Sequence, residues 1–131
     1  FATPGGKGGL FCHTPMVAVA RQIGRKRAAE MALTGGAIDA ATAVQWGLVN
    51  RVVPAVDLEQ ATRDFMGYAT RGSRYAKGLG KATMYAQMDM TFQDAYELAV
   101  SVMSNAAASG DGREWPTAFV EKRRPEWSHE G

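Results

Sequence analysis

The chain has 131 residues with a formal net charge of +2, from 15 basic and 13 acidic side chains that are well mixed along it. That length supports one modest core and not two, and the even charge argues against an electrostatic footprint for nucleic acid. A single cysteine excludes an internal disulfide framework, no apolar run approaches the ~18 residues of a membrane span, and no charged-then-apolar signal segment opens the chain.

In chain order, Phe1 to Phe11 is rich in glycine around Lys7 and reads as a loop whose backbone passes close to something. A phosphate cradle is one reading and a plain loop the other. The Gly-x-x-x-x-Gly-Lys-Ser/Thr spacing is absent, which favours the plain loop. Thr14-Pro15 predicts a helix start, with Thr14 as cap, leading Met16 to Ile23. Gly24 breaks that helix and Arg25 to Leu33 resumes it, up to Gly35-Gly36, which tolerate a left-handed backbone. Asp39 then caps a short helix from Ala40 to Trp46, whose small residues allow close packing, and Gly47 closes it. Leu48 to Val53 is β-branched and apolar enough for a short strand, which Pro54 stops.

From there on every predicted element is helical. Asp57-x-x-Gln60 reads as a capping box for a helix to about Thr70, and Ser73 as the start of the next, to about Met88. Gly78 and Gly80 weaken that second helix by ~1 kcal/mol each, so packing must hold it. Thr91-x-x-Asp94 opens the clearest amphipathic segment, with Phe92, Ala95, Tyr96, Ala99, Val102, Met103 and Ala106 at helical spacing. Gly110 is expected to stop it, and Asp111-x-x-Glu114 to cap a last helix to about Arg123.

The stretch Leu33, Thr34, Gly35, Ile38, Ala40, Ala43, Gly47, Leu48, Val49, Val52, Pro54 resembles a signature of the crotonase (enoyl-CoA hydratase/isomerase) superfamily, whose members act on acyl thioesters of coenzyme A. A second block, Asp111, Glu114, Ala118, Phe119, Glu121, Lys122 and Arg123, resembles the C-terminal end of the same family. The segment from Phe1 to Cys12 and the ending Arg124 to Glu130 look most like one branch of it. The resemblance implies the C-terminal part of an α/β crotonase (ClpP/crotonase-like) fold, here mostly α-helical with the short strand near Leu48–Val53. It further implies that roughly another half lies upstream. Residues 1–54 would form the C-terminal edge of the core domain, and residues 55–131 a helical trimerisation domain.

For chemistry, the resemblance points to a reaction in which two glutamates flank a water and add it across the C2=C3 bond of an enoyl thioester. One of these carboxylates belongs upstream, as do the oxyanion-hole donors. The other ends a Phe-Gly-x-Pro-Glu-like motif, which here reads Phe1, Ala2, Thr3, Pro4, Gly5. Gly5 therefore occupies the family's glutamate position, and no catalytic residue is expected within this chain. Glycine cannot exchange a proton, which leaves isomerase, weak hydratase or other acyl-CoA thioester chemistry, or a non-catalytic protein that binds acyl-CoA or assembles with related subunits. A helical interaction module with no ligand is a third reading, which the Phe119/Lys122 block disfavours. Gly5→Glu would be expected to raise hydratase activity.

Lys7, Cys12 and His13 lie near Gly5 in sequence. Cys12 reads as a small buried apolar residue, His13 as a hydrogen-bonded loop residue and His129 as a solvated residue of the polar tail. By resemblance, Phe119 and Lys122 reach the adenine and 3′-phosphate end of coenzyme A, an aromatic face for the base and an ammonium for the phosphate. The alternative is a solvated helix face, and Lys81 carries the same two readings. Acyl-CoA is the expected partner, as substrate or ligand, with no other cofactor, no metal, no nucleic acid and no membrane. A homotrimer or hexamer is expected, with part of the Phe92 to Ala106 stripe between subunits and Trp115 and Trp127 as possible anchors. The resemblance places such a protein in the cytoplasm of a bacterium or the mitochondrial matrix of a eukaryote.

Overall fold

The computed structural model describes residues 1–130, and the chain divides into two compact units, Phe1–Glu59 and Gln60 onward, with the boundary inside the first turn of one helix. In the first unit a 3-10 turn at Pro4–Lys7 precedes α1 (His13–Ile23), α2 (Arg25–Thr34) and α3 (Ala40–Trp46), and a second 3-10 turn at Ala55–Asp57 leads to α4 (Leu58–Thr70). The second unit continues with α5 (Arg74–Ala86), α6 (Phe92–Ala108) and α7 (Gly110–Val120). Among the described residues no helix is long and apolar enough to cross a membrane.

Local chemistry explains most of the boundaries. Asp39 accepts a hydrogen bond from the Thr42 N–H at 2.7 Å and so caps α3, as its sequence position predicts. Ser73 does the same for α5 through Ala76 N at 3.0 Å, and Thr91 for α6 through Asp94 N at 3.2 Å. Gly35 ends α2 in a left-handed conformation at φ 60°, its N–H on the Met31 carbonyl at 3.1 Å. Gly47 ends α3 in the same way at φ 81°.

Three expectations change. Leu48–Val53 is not a strand: Leu48 N donates to the Ala43 carbonyl at 2.9 Å, so the chain is still unwinding from α3 where pairing would have to begin. The described residues contain only an isolated antiparallel bridge, Ala2 to Ala37. A strand needs a partner edge, and apolar β-branched residues do not supply one. Helix α1 begins at His13, so its cap is Cys12, two residues before the expected Thr14, which lies inside the helix; the Cys12 side chain makes no capping bond. Gly110 does not separate α6 from the last helix. It is the first residue of α7, and Ser109, not Asp111, is the cap, accepting from Gly112 N at 3.0 Å. Gly112 is required at this corner, because a Cβ there would lie 2.0 Å from the Ala106 carbonyl oxygen.

The core of the first unit is Ile23, Ala28 and Met31, with Met16, Val19, Ala20, Ile38, Trp46 and Leu48 packed around it. In the second unit α5, α6 and α7 pack against one another. There Ala118 and the polar Ser73 and Asp111 are buried, while Phe92, Tyr96, Val100 and Met103 stand out from α6.

Candidate functional site

Two places carry the residues that the sequence singles out, one in each unit. In the first, the Pro4–Lys7 turn is pinned to the end of α2. The Thr3 hydroxyl, buried, donates to the Met31 carbonyl at 3.0 Å, and Phe1 and Ile38 exchange backbone contact at 2.8 Å. Gly5 sits inside this turn with its N–H on Cys12 Sγ at 3.3 Å. A Cβ at Gly5 would lie 2.5 Å from the Leu10 carbonyl oxygen and 2.8 Å from Cys12 Sγ, both closer than real contacts allow. The space in which a side chain at this position would begin is therefore filled by the thiol and the backbone. Such a centre holds neither an acid nor a base at residue 5.

Of the neighbouring polar residues only Cys12 meets Gly5. Cys12 is half-buried and its sulfur accepts a hydrogen bond, which is more than the apolar filler expected from the sequence. His13 turns away to pack against Phe11, with ring centroids 5.1 Å apart. Lys7 is exposed at its tip and runs its stem over Gly35, where a Cβ would come within 2.7 Å of Lys7 Cγ.

In the second unit Phe119 is 75% exposed near the end of α7 and Lys122 follows in the exit turn, also exposed. The two are joined through the backbone, Lys122 N donating to the Phe119 carbonyl at 3.2 Å. Arg123 N donates to the Ala118 carbonyl at 3.1 Å. This pair of bonds is the Schellman way of ending a helix, with Lys122 in the left-handed position at φ 56°. An aromatic side chain and an ammonium thus stand three residues apart, both exposed, at the one helix exit.

That turn is held by groups whose role the sequence did not reveal. Glu114 forms a fork with Arg123, whose Nη1 and Nη2 both reach it, the second at 2.9 Å. Its Oε1 also accepts the Glu126 N–H at 2.7 Å, and Arg123 Nε reaches Glu121 at 2.6 Å. The hydrogen bonds from Arg123 first, and from Glu126 N second, bring the Glu114 carboxyl down to about 2, so it is charged at any ordinary pH. Asp111, buried, gathers the tail: Ser128 N at 2.7 Å, Ser128 Oγ at 2.9 Å and His129 N at 3.2 Å all donate to it. The Ser73 hydroxyl, ahead of these tail donors, holds its carboxyl below the usual range.

His129 is accordingly not a solvated tail residue. Its Nδ1 accepts the Arg74 N–H at 3.2 Å, at the start of α5. Trp127 stacks on Trp115 with centroids 6.2 Å apart, and both rings line a groove of about 840 Å³ with Arg71, Lys77 and Met103. The signal in the sequence was the i, i+3 pair Asp111 and Glu114, which places two carboxylates on one face of α7. Lys81 is exposed on α5.

Residues 1–130 match the family model for enoyl-CoA hydratase/isomerase. The human mitochondrial enoyl-CoA hydratase domain-containing protein 3 is 45% identical over 130 residues, which is 99% of this chain and 43% of that protein. Its crystal structure superposes with a TM-score of 0.92 at 44% identity, over 97% of this chain and 50% of that one. An enoyl-CoA hydratase from Mycobacterium smegmatis gives the same TM-score, 0.92, at 40% identity, over 97% of this chain and 49% of the other. Carnitinyl-CoA dehydratase from Proteus mirabilis is 31% identical over 102 residues, 75% of this chain and 39% of that enzyme. The chain therefore spans half or less of each of these relatives, and the branch resemblance at its two ends agrees with the human and mouse proteins, the latter also 45% identical. These matches show that the chain belongs to the enoyl-CoA hydratase/isomerase family and that it forms part of the crotonase fold.

Proposed function

We propose that the protein containing this chain binds acyl-CoA thioesters and handles them without the second carboxylate of two-glutamate hydratases, which leaves isomerisation, weak hydration or other thioester chemistry. The observation that carries this reading is the filled space at Gly5, where the turn itself closes on the place a carboxylate would need. Hydration requires one group to take a proton from water as its oxygen bonds to C3 and another to deliver a proton to C2. Shifting a double bond requires only one group that moves a proton between carbons. A carboxylate in such a role contributes typically ~10²–10⁴-fold.

Assay of the whole protein on crotonyl-CoA tests this. The expected rate falls below that of a two-glutamate enzyme by about that factor. An equal rate would overturn the assignment of Gly5. The contacts at Gly5 alter the expectation for Gly5→Glu: the new side chain has no room beside Leu10 and Cys12, so the single substitution should not raise hydration.

A non-catalytic acyl-CoA-binding or assembly role is the second reading, favoured by the same lack of an ionisable group at residue 5. In both readings Phe119 and Lys122 hold the adenine and 3′-phosphate end of coenzyme A. Exposed Phe92, Tyr96, Val100 and Met103 on α6 support a homotrimer or a hexamer, to be measured by light scattering. A strictly monomeric mass at micromolar concentration would sink that assembly. The mitochondrial relatives support the matrix as the compartment in a eukaryotic host, and the cytoplasm remains the expectation for a bacterial one.

A further inference from the structure

Lys122 occupies the one position of the α7 exit where glycine is the usual residue. With Val120 ending the helix and Glu121 following it, Lys122 has φ 56° and makes the two-bond closure with Phe119 and Ala118. A side chain in the left-handed region costs free energy that glycine does not, and such a residue persists only where its surroundings hold it. The surroundings here are specific. The next residue, Arg123, is gripped by both oxygens of Glu114, one turn into α7, and by Glu121 on the other side of Lys122. Glu114 also takes the Glu126 N–H, so the chain on the far side of the turn is tied to the same carboxylate. Lys122 itself has its ammonium in solvent, and the clamp touches the residues on either side of it.

We infer that Glu114 is a positioning residue: acting through Arg123, it keeps Lys122 in the strained turn that presents its ammonium, next to Phe119, to the 3′-phosphate of coenzyme A. This rests on the reading of Lys122 given under the proposed function. It adds a residue that would never touch the ligand and whose charge has the wrong sign for a phosphate. That sign makes the inference testable. If Glu114 were only a nearby charge, its removal would tighten the binding of an anion. As the holder of the turn, its removal weakens that binding.

The experiment uses the whole protein and two probes, coenzyme A and 3′-dephospho-coenzyme A, with dissociation constants from calorimetry and a melting curve for each variant. Glu114→Gln is expected to weaken coenzyme A by about fivefold, the population ratio at the low end of the strain of one left-handed residue, and to leave dephospho-coenzyme A unchanged. Lys122→Ala should show the same selectivity, and the double variant should bind no more weakly than Lys122→Ala alone, because the two residues act in series. Arg123→Lys, which keeps the charge but loses the two-pronged geometry, serves as the second variant and should reproduce the selective loss if Glu114→Gln does not fold. Tighter or unchanged binding of coenzyme A by folded Glu114→Gln or Arg123→Lys, with Lys122→Ala still selective, overturns the role of Glu114 alone. Equal weakening of both probes by the clamp variants does so too. No selectivity in Lys122→Ala overturns the reading of Lys122, and the inference with it.

Discussion

The first unit buries Ile23, Ala28, Met31, Ala32 and Ala43 together with one buried polar residue, Thr3, whereas in the second the buried side chains among the described residues are Ala118 and the polar Ser73 and Asp111. Each follows from its sequence. In α1 to α3, small residues let helices approach closely around Met31, and the hydroxyl of Thr3 spends its hydrogen bond on the same Met31 carbonyl. In α5 to α7 the large apolar residues stand outward, Met103 at 70% and Phe119 at 75% exposure, and a carboxylate collects the tail instead. One unit is organised by an apolar centre and the other by polar ties beneath an apolar face. A face of that kind is what an assembling or ligand-binding protein keeps available, and a mutation there should show in association before it shows in stability.

The largest expected effect separates the two methionines. Met31→Ala removes a buried side chain and should destabilise by about 3 kcal/mol, since the helices around it relax only in part. Met103→Ala, on the exposed face of α6, should cost within about 0.5 kcal/mol. Urea unfolding of both checks the contrast. Comparable losses would mean that the second unit has an apolar centre of its own.

Next in size is the corner between α6 and α7. Gly112→Ala puts a methyl group against the backbone of Ala106 and Ala107, which no side-chain rotation can relieve, and about 2 kcal/mol is expected from such overpacking. Gly80→Ala in α5 meets nothing within 4 Å and should stabilise by about 0.5 kcal/mol through helix propensity. Thermal melts of the two variants should therefore move in opposite directions.

These contrasts also mark how far the sequence was readable. The caps at Asp39, Ser73 and Thr91 were legible because a cap is a contact between residues three apart, and so was the stop at Gly35. The family signature gave the fold. What escaped was each feature that depends on which of several possible partners a group takes, near or far in the chain. Leu48–Val53 has the composition of a strand, but a strand exists only with a partner, and Ala43 claims the first amides of this one. Asp111 has the residue type and position of a helix cap, yet Ser109 lies one step nearer the turn and takes the role, freeing Asp111 for Ser128 and His129. His129 looks solvated in a polar ending, and its bond to Arg74 spans more than fifty residues. At Gly5 the family resemblance leads one to expect a carboxylate where the sequence has glycine, and nothing in the sequence pointed to the Cys12 thiol packed against that glycine.

A smaller effect should follow pH and touch the second unit through Glu114. Its carboxyl is depressed by its bonds to Arg123 and Glu126 from 4.5 to about 2. A carboxyl with a lower value folded than unfolded binds its proton more readily unfolded, so the stability it contributes is whole above about 4.5 and is lost as pH falls toward 2. Unfolding free energies of the parent and of Glu114→Gln should differ at neutral pH and converge in acid. A gap that stays constant to pH 2 would show that the clamp does not titrate with the fold.

The last comparison sets stability against binding at a single residue. Lys122→Gly leaves both backbone bonds of the α7 exit in place and gives the left-handed position the residue that adopts it without strain. The folded chain should gain about 1 kcal/mol, the cost of a left-handed side chain, reduced by the greater freedom of glycine when unfolded. Under the proposed reading, the same variant loses the ammonium and should bind coenzyme A more weakly, with dephospho-coenzyme A little affected. A rise in melting temperature together with a selective loss of affinity would identify the strain at Lys122 as held for the ligand. A fall in melting temperature would show that the side chain of Lys122 packs favourably enough to outweigh its backbone, and its geometry would then need no ligand to explain it.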